Sequence, residues 1–185
     1  MMRELADNIM DIAQNSISAG AKLTEVHVKI SHADDLITFV FQDDGCGMSE
    51  ELVQSVIEPF TTTRKTRKVG LGLPLLKQTA EMTGGTLDIR STVGVGTTVT
   101  ATFGLDHIDR PPMGDVAGAW FSLVVMKPET DFLFTYDYDG QAFTFDTRGI
   151  RETVAPIPLN QMEISAWIQE CLQSEIYELH GGNFT

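Results

Sequence analysis

The chain opens on an apolar series of helical period, with Leu5, Ile9, Ile12, Ala13 and Ile17 on one face and Gly20 placed where a helix would stop. The pattern then shifts to a period of two. Glu25-Val-His-Val-Lys-Ile30 alternates, Leu36-Ile-Thr-Phe-Val-Phe41 is apolar and β-branched, and Ser31–Asp35 joins them as a hairpin connection. A short helix is expected after Ser49, with Glu50 and Glu51 in its first turn. Another spans Leu71 to Met82 and ends at Gly84-Gly85, followed by strands over 86–91 and 97–103 around Gly94-Val-Gly96. Farther on, Trp120–Met126 and Phe132–Tyr138 read as strands. Asp139-Gly140 reads as a two-residue turn into Ala142–Phe145, so that the aromatics from Trp120 to Phe145 alternate as in a β-meander. Asn160 is expected to cap a last helix with Ile164, Trp167, Ile168, Cys171, Leu172 and Ile176 on one face.

Charge divides this series. The 185 residues carry a formal net charge of -13, but residues 1–104 hold 9 basic and 13 acidic residues while 105–185 hold 4 and 13. Asp106–Asp115 lies between them with a Pro-Pro pair, so the expected organisation is a domain over 1–104 and an acidic α+β extension over 105–185. Such a balance speaks against a nucleic-acid or anionic-membrane partner. The two cysteines, Cys46 and Cys171, have no metal-type spacing. No window approaches 18 consecutive apolar residues and no leader pattern opens the chain, so a cytoplasmic protein is expected.

Four features then stand in order. Asp11 and Asn15, four residues apart, project from one face of the first helix. Asp43-Asp-Gly-Cys-Gly47 ends the second strand, where a carboxylate can accept from an exocyclic amine and Gly45 and Gly47 let backbone approach a flat ligand. Thr61–Lys68 gathers Arg64, Lys65, Arg67 and Lys68, 4 of the 13 cations, ahead of Gly70-Leu-Gly-Leu73 at a helix start. Amides and cations there suit a polyphosphate. Gly96-Thr97-Thr98 enters the last strand of the first part.

Together these resemble the GHKL ATPase superfamily. Asp11–Ala21 is similar to its N box, Asp43–Gly47 to its G1 box, Glu58-Pro-Phe60 to the F box of its kinases, Gly70–Leu73 to G2, and Gly96-Thr97 to its closing Gly-Thr motif. The resemblance covers residues 3–104. It implies a Bergerat fold, an α+β two-layer sandwich with a mixed, mostly antiparallel sheet, here with a C-terminal β-meander and helix added. It implies ATP and Mg²⁺ as ligands, with Asn15 offering its amide oxygen to the metal. Asp43 would read the adenine amine with support from Thr97, Met48 would form part of the adenine wall with Ile57, and Gly45 and Gly47 would border the base. Arg64, Lys65, Lys68, Gly70, Leu71, Gly72 and Leu73 would hold the phosphates. Asp11 stands where hydrolysing relatives carry a catalytic glutamate and is one methylene shorter, and Ser18 stands where many relatives carry Lys or Asp.

Ten residues precede Asp11, so a stand-alone member without a phosphoacceptor segment is expected, similar to small kinase-like regulatory proteins. The implied function is ATP·Mg²⁺ binding with phosphotransfer to a protein partner. The alternatives are an ATP-hydrolysing switch and an ATP-gated binding module without catalysis. The oligomeric state is open, a dimer included.

Overall fold

A computed structural model describes residues 4–57 and 72–182. Its elements are α1 (Ala6–Ser18), β1 (Leu23–Ser31), β2 (Leu36–Asp43), α2 (Glu50–Ile57), α3 (Gly72–Met82), β3 (Leu87–Thr92), β4 (Gly96–Gly104), α4 (Val116–Met126), β5 (Asp131–Tyr138), β6 (Gln141–Asp146), α5 (Thr147–Val154) and α6 (Met162–Leu179). The strands form one sheet in the order β3-β4-β2-β1-β5-β6, antiparallel throughout except for the parallel pair β1–β5. This is the expected α+β sandwich with a mixed sheet.

Alternation decides which face is buried. Val26, Val28 and Ile30 of β1, Phe39 and Phe41 of β2, Phe103 of β4, and Phe132, Phe134 and Tyr136 of β5 point to one side and are buried there. Helices α1, α3, α4 and α6 cover that side through Leu5, Ile9, Ile12, Leu76, Trp120, Leu123, Ile168 and Leu172. The opposite face presents Thr38, Thr100 and Thr102 beside the Lys29–Asp137 row. The sheet continues across position 105, because β5 pairs with β1 from Leu23↔Asp131 to Ile30↔Tyr138.

Three expectations for the second part are corrected. Trp120–Met126 is helical, not a strand: Asp115 caps α4 by accepting from the Gly118 N–H at 2.8 Å, and Val116, Ala117, Ala119, Trp120, Leu123 and Val124 are all buried. A helix buried on most sides has no polar face to reveal its period. Trp120 therefore leaves the supposed meander and stacks on Phe134 with ring centroids 4.8 Å apart. Asn160 does not cap the last helix, because the Gln161 N–H bonds to the Pro158 carbonyl at 3.0 Å and encloses it in a turn, so α6 starts at Met162. On α6, Ile168, Leu172 and Ile176 are buried, whereas Trp167 is 52% exposed. The Asp139-Gly140 turn is as expected, with φ of 51° and 85°.

Candidate nucleotide site

Asp43 is the last residue of β2 and lies opposite Thr97 of β4. Its carboxylate is held from two directions. Oδ2 accepts from the Ser16 hydroxyl of α1 at 2.8 Å, and Oδ1 accepts from the Gly45 N–H at 2.9 Å. Its neighbour Asp44 turns the other way and accepts from the Lys22 and Leu23 N–H groups at 2.7 and 3.0 Å. The Lys22 carbonyl in turn accepts from the Asp131 N–H at the start of β5, at 2.9 Å.

Thr97 belongs to a second small network. Its hydroxyl is 2.8 Å from Ser91 Oγ, which accepts from the Met48 N–H at 2.8 Å and lies 3.0 Å from the Gly96 carbonyl, to which it can donate. Ser91 was not singled out from sequence. Only the β3–β4 register, which sets Ser91 opposite Thr97, reveals it.

Two glycines permit these approaches. A Cβ on Gly47, whose φ is 64°, would lie 2.0 Å from the Thr92 carbonyl oxygen, and one on Gly96, whose φ is 141°, would lie 1.9 Å from that of Asp43. No side chain fits either place.

Between α1, α2 and the sheet these residues frame a cavity of about 350 Å³. Asn15, Ser16, Ser18, Asp43, Cys46 and Thr97 supply its polar side chains, and Ile12, Phe41, Met48, Leu52, Val56, Leu73 and Val99 most of its apolar wall. Gly47 lines it, as does Met48, but from α2 the wall takes Leu52 and Val56 rather than Ile57. Gly45 sits just outside, packed against Ala19. A recess of about 600 Å³ shares Asp43 and Thr97, and another of about 820 Å³ lies between α4 and α6. Only the first cavity brings Asn15 to Asp43 among the described residues.

Asp11 lies one turn before Asn15 and does not line the cavity. It packs on the first residue of α3, where a Cβ on Gly72 would lie 3.1 Å from Asp11 Cβ. Partial burial there, with the negative charge of Asp7, pushes the Asp11 carboxyl above its ordinary range. A more basic carboxylate at a helix start is suited to accept a proton. Ser18 donates to the Gln14 carbonyl of its own helix at 2.7 Å. Arg64, Lys65, Arg67, Lys68, Gly70 and Leu71, and the Glu58-Pro-Phe60 segment, lie outside the described residues.

A mixed sheet covered on one side by helices, with a glycine-bounded cavity at the end of β2, is the architecture of GHKL-type ATPase domains. The chain belongs to the histidine kinase-, DNA gyrase B- and HSP90-like ATPase family, whose model matches residues 1–107. It is 34% identical over 97 residues to sporulation kinase D of Bacillus subtilis, covering 51% of this chain and 18% of that protein. It is 26% identical over 134 residues to the virulence sensor protein BvgS of Bordetella bronchiseptica, covering 69% and 11%. The chain thus spans less than a fifth of these relatives. Among solved structures it resembles the Aquifex aeolicus MutL ATPase domain complexed with ADP, at 13% identity and a TM-score of 0.50, with 100% of both chains covered. That likeness concerns the fold.

Proposed function

We propose that this protein binds ATP with Mg²⁺ in the cavity at Asp43 and transfers the γ-phosphoryl group to a protein partner. The observation that carries the nucleotide reading is the doubly held Asp43 carboxylate beside Thr97 at the end of an apolar slot. A fixed acceptor there selects a base bearing an exocyclic amine and repels a carbonyl in its place. Phe41, Met48, Leu52, Val56 and Val99 would enclose the ring faces.

Asn15 lines the same cavity, and no hydrogen bond holds its amide among the described residues. An uncharged oxygen donor fits Mg²⁺, which keeps several waters and takes much of its coordination from phosphates. The described residues hold no group of three His, Cys, Asp or Glu that would form an all-protein cage. The metal would neutralise phosphate charge. The first amides of α3, at Gly72 and Leu73, and the cations Arg64, Lys65 and Lys68 would hold the rest of the triphosphate, with Gly70 and Leu71 in the same segment.

Phosphotransfer needs positioning and charge stabilisation more than a covalent role for the protein. Hydrolysis is the second reading, favoured by the raised Asp11 carboxyl next to Gly72. Calorimetric titration with ATP and Mg²⁺ tests the site: wild type binds and Asp43→Ala does not. Incubation with γ-labelled ATP, alone and with lysate, then separates the outcomes. A labelled partner supports transfer, free phosphate supports the switch, and neither supports the binding module.

A further inference from the structure

A serine hydroxyl has one proton to give and two lone pairs to fill. Ser91 Oγ has three neighbours that use all of this capacity. The Met48 N–H donates to it at 2.8 Å, the Gly96 carbonyl stands 3.0 Å away, and Thr97 Oγ1 stands 2.8 Å away. An N–H can only donate and a carbonyl can only accept, so two of the roles are settled: Ser91 accepts from Met48 and donates to Gly96. Were the Ser91 proton turned to Thr97 instead, two oxygens 3.0 Å apart would face each other with no proton between them. The Thr97 hydroxyl is therefore the donor to Ser91.

That donation decides what Thr97 can offer the cavity. Thr97 lines it, whereas Ser91 stands behind Thr97 on the neighbouring strand, outside the lining. With its proton committed, Thr97 Oγ1 presents lone pairs only. Asp43, directly opposite Thr97 in the β2–β4 register, presents a carboxylate whose orientation Ser16 and the Gly45 N–H already fix. The two groups thus form a pair of acceptors. Two bonds clamp the loop that carries Gly47 to the β3–β4 hairpin and hold this arrangement in place: Met48 N–H to Ser91, and Gly94 N–H to the Cys46 carbonyl, each at 2.8 Å.

Resting on the nucleotide reading of this cavity, we propose that Ser91 is a positioning residue for base selection. By drawing the Thr97 proton to itself, it makes Thr97 an acceptor for the 6-amino edge of adenine, directly or through one water, and withholds a donor from a 6-oxo purine. A threonine hydroxyl free to rotate would donate to a carbonyl as readily as it accepts from an amine. A pair made only of acceptors leaves the 6-carbonyl unpaired, and an unpaired buried polar group is what gives a polar site its discrimination. Ser91 acts through Thr97, so its effect falls on the choice of base and not on the phosphates.

Calorimetric titration of the full chain with Mg²⁺ and either ATP or ITP, whose base carries a 6-oxo group, tests this role. Wild type is expected to bind ATP the more tightly. Ser91→Ala frees the Thr97 hydroxyl to donate, and the ATP-over-ITP ratio is expected to shrink ~10-fold. The Met48 N–H also loses its acceptor in that variant, but this bears on both bases alike, so the ratio of the two affinities is the readout. Ser91→Thr keeps a hydroxyl and is expected to restore the ratio. In a Thr97→Val background, Ser91→Ala is expected to change the ratio no further, because the group through which Ser91 acts is gone. Should Ser91→Ala fail to fold, Ser91→Cys, whose thiol is a weak hydrogen-bond partner, takes its place. Three results overturn the role of Ser91 while leaving ATP binding intact: a wild type that binds ITP as tightly as ATP, an unchanged ratio in the folded variant, or a shift that persists in the Thr97→Val background. A wild type that binds neither nucleotide overturns the nucleotide reading, and this proposal with it.

Discussion

The Ser16 hydroxyl donates to Asp43 Oδ2 at 2.8 Å, tying the first helix to the end of the second strand across 27 residues of sequence. Ser16 is buried, and the Gly45 N–H holds the other oxygen, so the carboxylate has little freedom to turn. Removing one of the two donors should loosen the group that reads the base. Ser16→Ala is expected to weaken ATP binding ~10-fold, in line with the ~1.5 kcal/mol of a hydrogen bond to a charged group. The preference for ATP over a purine triphosphate lacking the 6-amino group should shrink with it. Equal losses for both nucleotides in calorimetry would mean that Ser16 acts on the fold and not on base reading.

Gly96 faces the Asp43 carbonyl with no room for a side chain, whereas Gly94, two residues earlier in the same turn, has open space around it. Gly96→Ala is therefore expected to cost ~2–4 kcal/mol and abolish nucleotide binding, from strain and overpacking together. Gly94→Ala keeps only the penalty of its positive φ, ~1–2 kcal/mol. Chemical denaturation of the two variants distinguishes these cases.

A raised folded-state pKa at Asp11 means that the folded protein holds its proton more tightly than the unfolded chain does. The stabilisation from the neutral form is present below the unfolded value of 3.8 and lost as pH rises through the folded value. At neutral pH the ionised carboxylate is thus a small burden. Asp11→Asn should raise the melting temperature slightly, and where the protein hydrolyses ATP it should lower that rate ~10²–10⁴-fold. Unchanged phosphate release by a folded Asp11→Asn variant would remove Asp11 from the chemistry.

His180 Nε2 and the Tyr136 hydroxyl share a hydrogen bond at 2.8 Å, and burial with the nearby His32 holds the His180 pKa below the ordinary 6.5. The sign is opposite to that of Asp11. Stability is full above about pH 6.5 and falls as pH drops from there through the folded value, because the unfolded chain takes up the proton first. Urea unfolding at pH 7.5 and 5.5 should show this loss, and His180→Gln should reduce it.

Removing residues 105–185 would strip β5 from β1 and α4 from α1, exposing Val26, Val28 and Ile30 at a new sheet edge. A chain of residues 1–104 alone is expected to be insoluble or to lack dispersed amide resonances. A well-folded, monomeric fragment would show that the first part needs none of those contacts.

The elements whose burial alternates along the chain were legible in the sequence. β1, β2 and β5 each bury every second residue, and the Asp-Gly pair at 139–140 could only turn. α4 was not legible, since a helix enclosed by α1, α6 and the sheet shows no polar stripe, and its run of Trp, Phe, Leu and Val suits a strand equally well. The eight-residue α5 was missed for its length and its mixed TRGIRETV sequence; its cap, Asp146 accepting from the Arg148 N–H at 2.9 Å, also ends a strand. In the cavity, Asp43, Asn15, Met48 and Thr97 stood out because their motifs keep a fixed order. Ser16 and Ser91 are ordinary serines until helix packing and strand register bring them to Asp43 and Thr97.

The backbone of Lys22 ties two segments together through its two flanking peptide units. Its N–H holds Asp44, beside the carboxylate in the cavity, and its carbonyl holds the first residue of β5. Any sliding of the acidic extension along β1 must break that carbonyl contact or drag residue 22 with it, and with it the loop that carries Asp43 and Gly45. Residue 22 is in this sense a mechanical joint, through which a load on the C-terminal strands would reach the far end of β2 without crossing the helical layer.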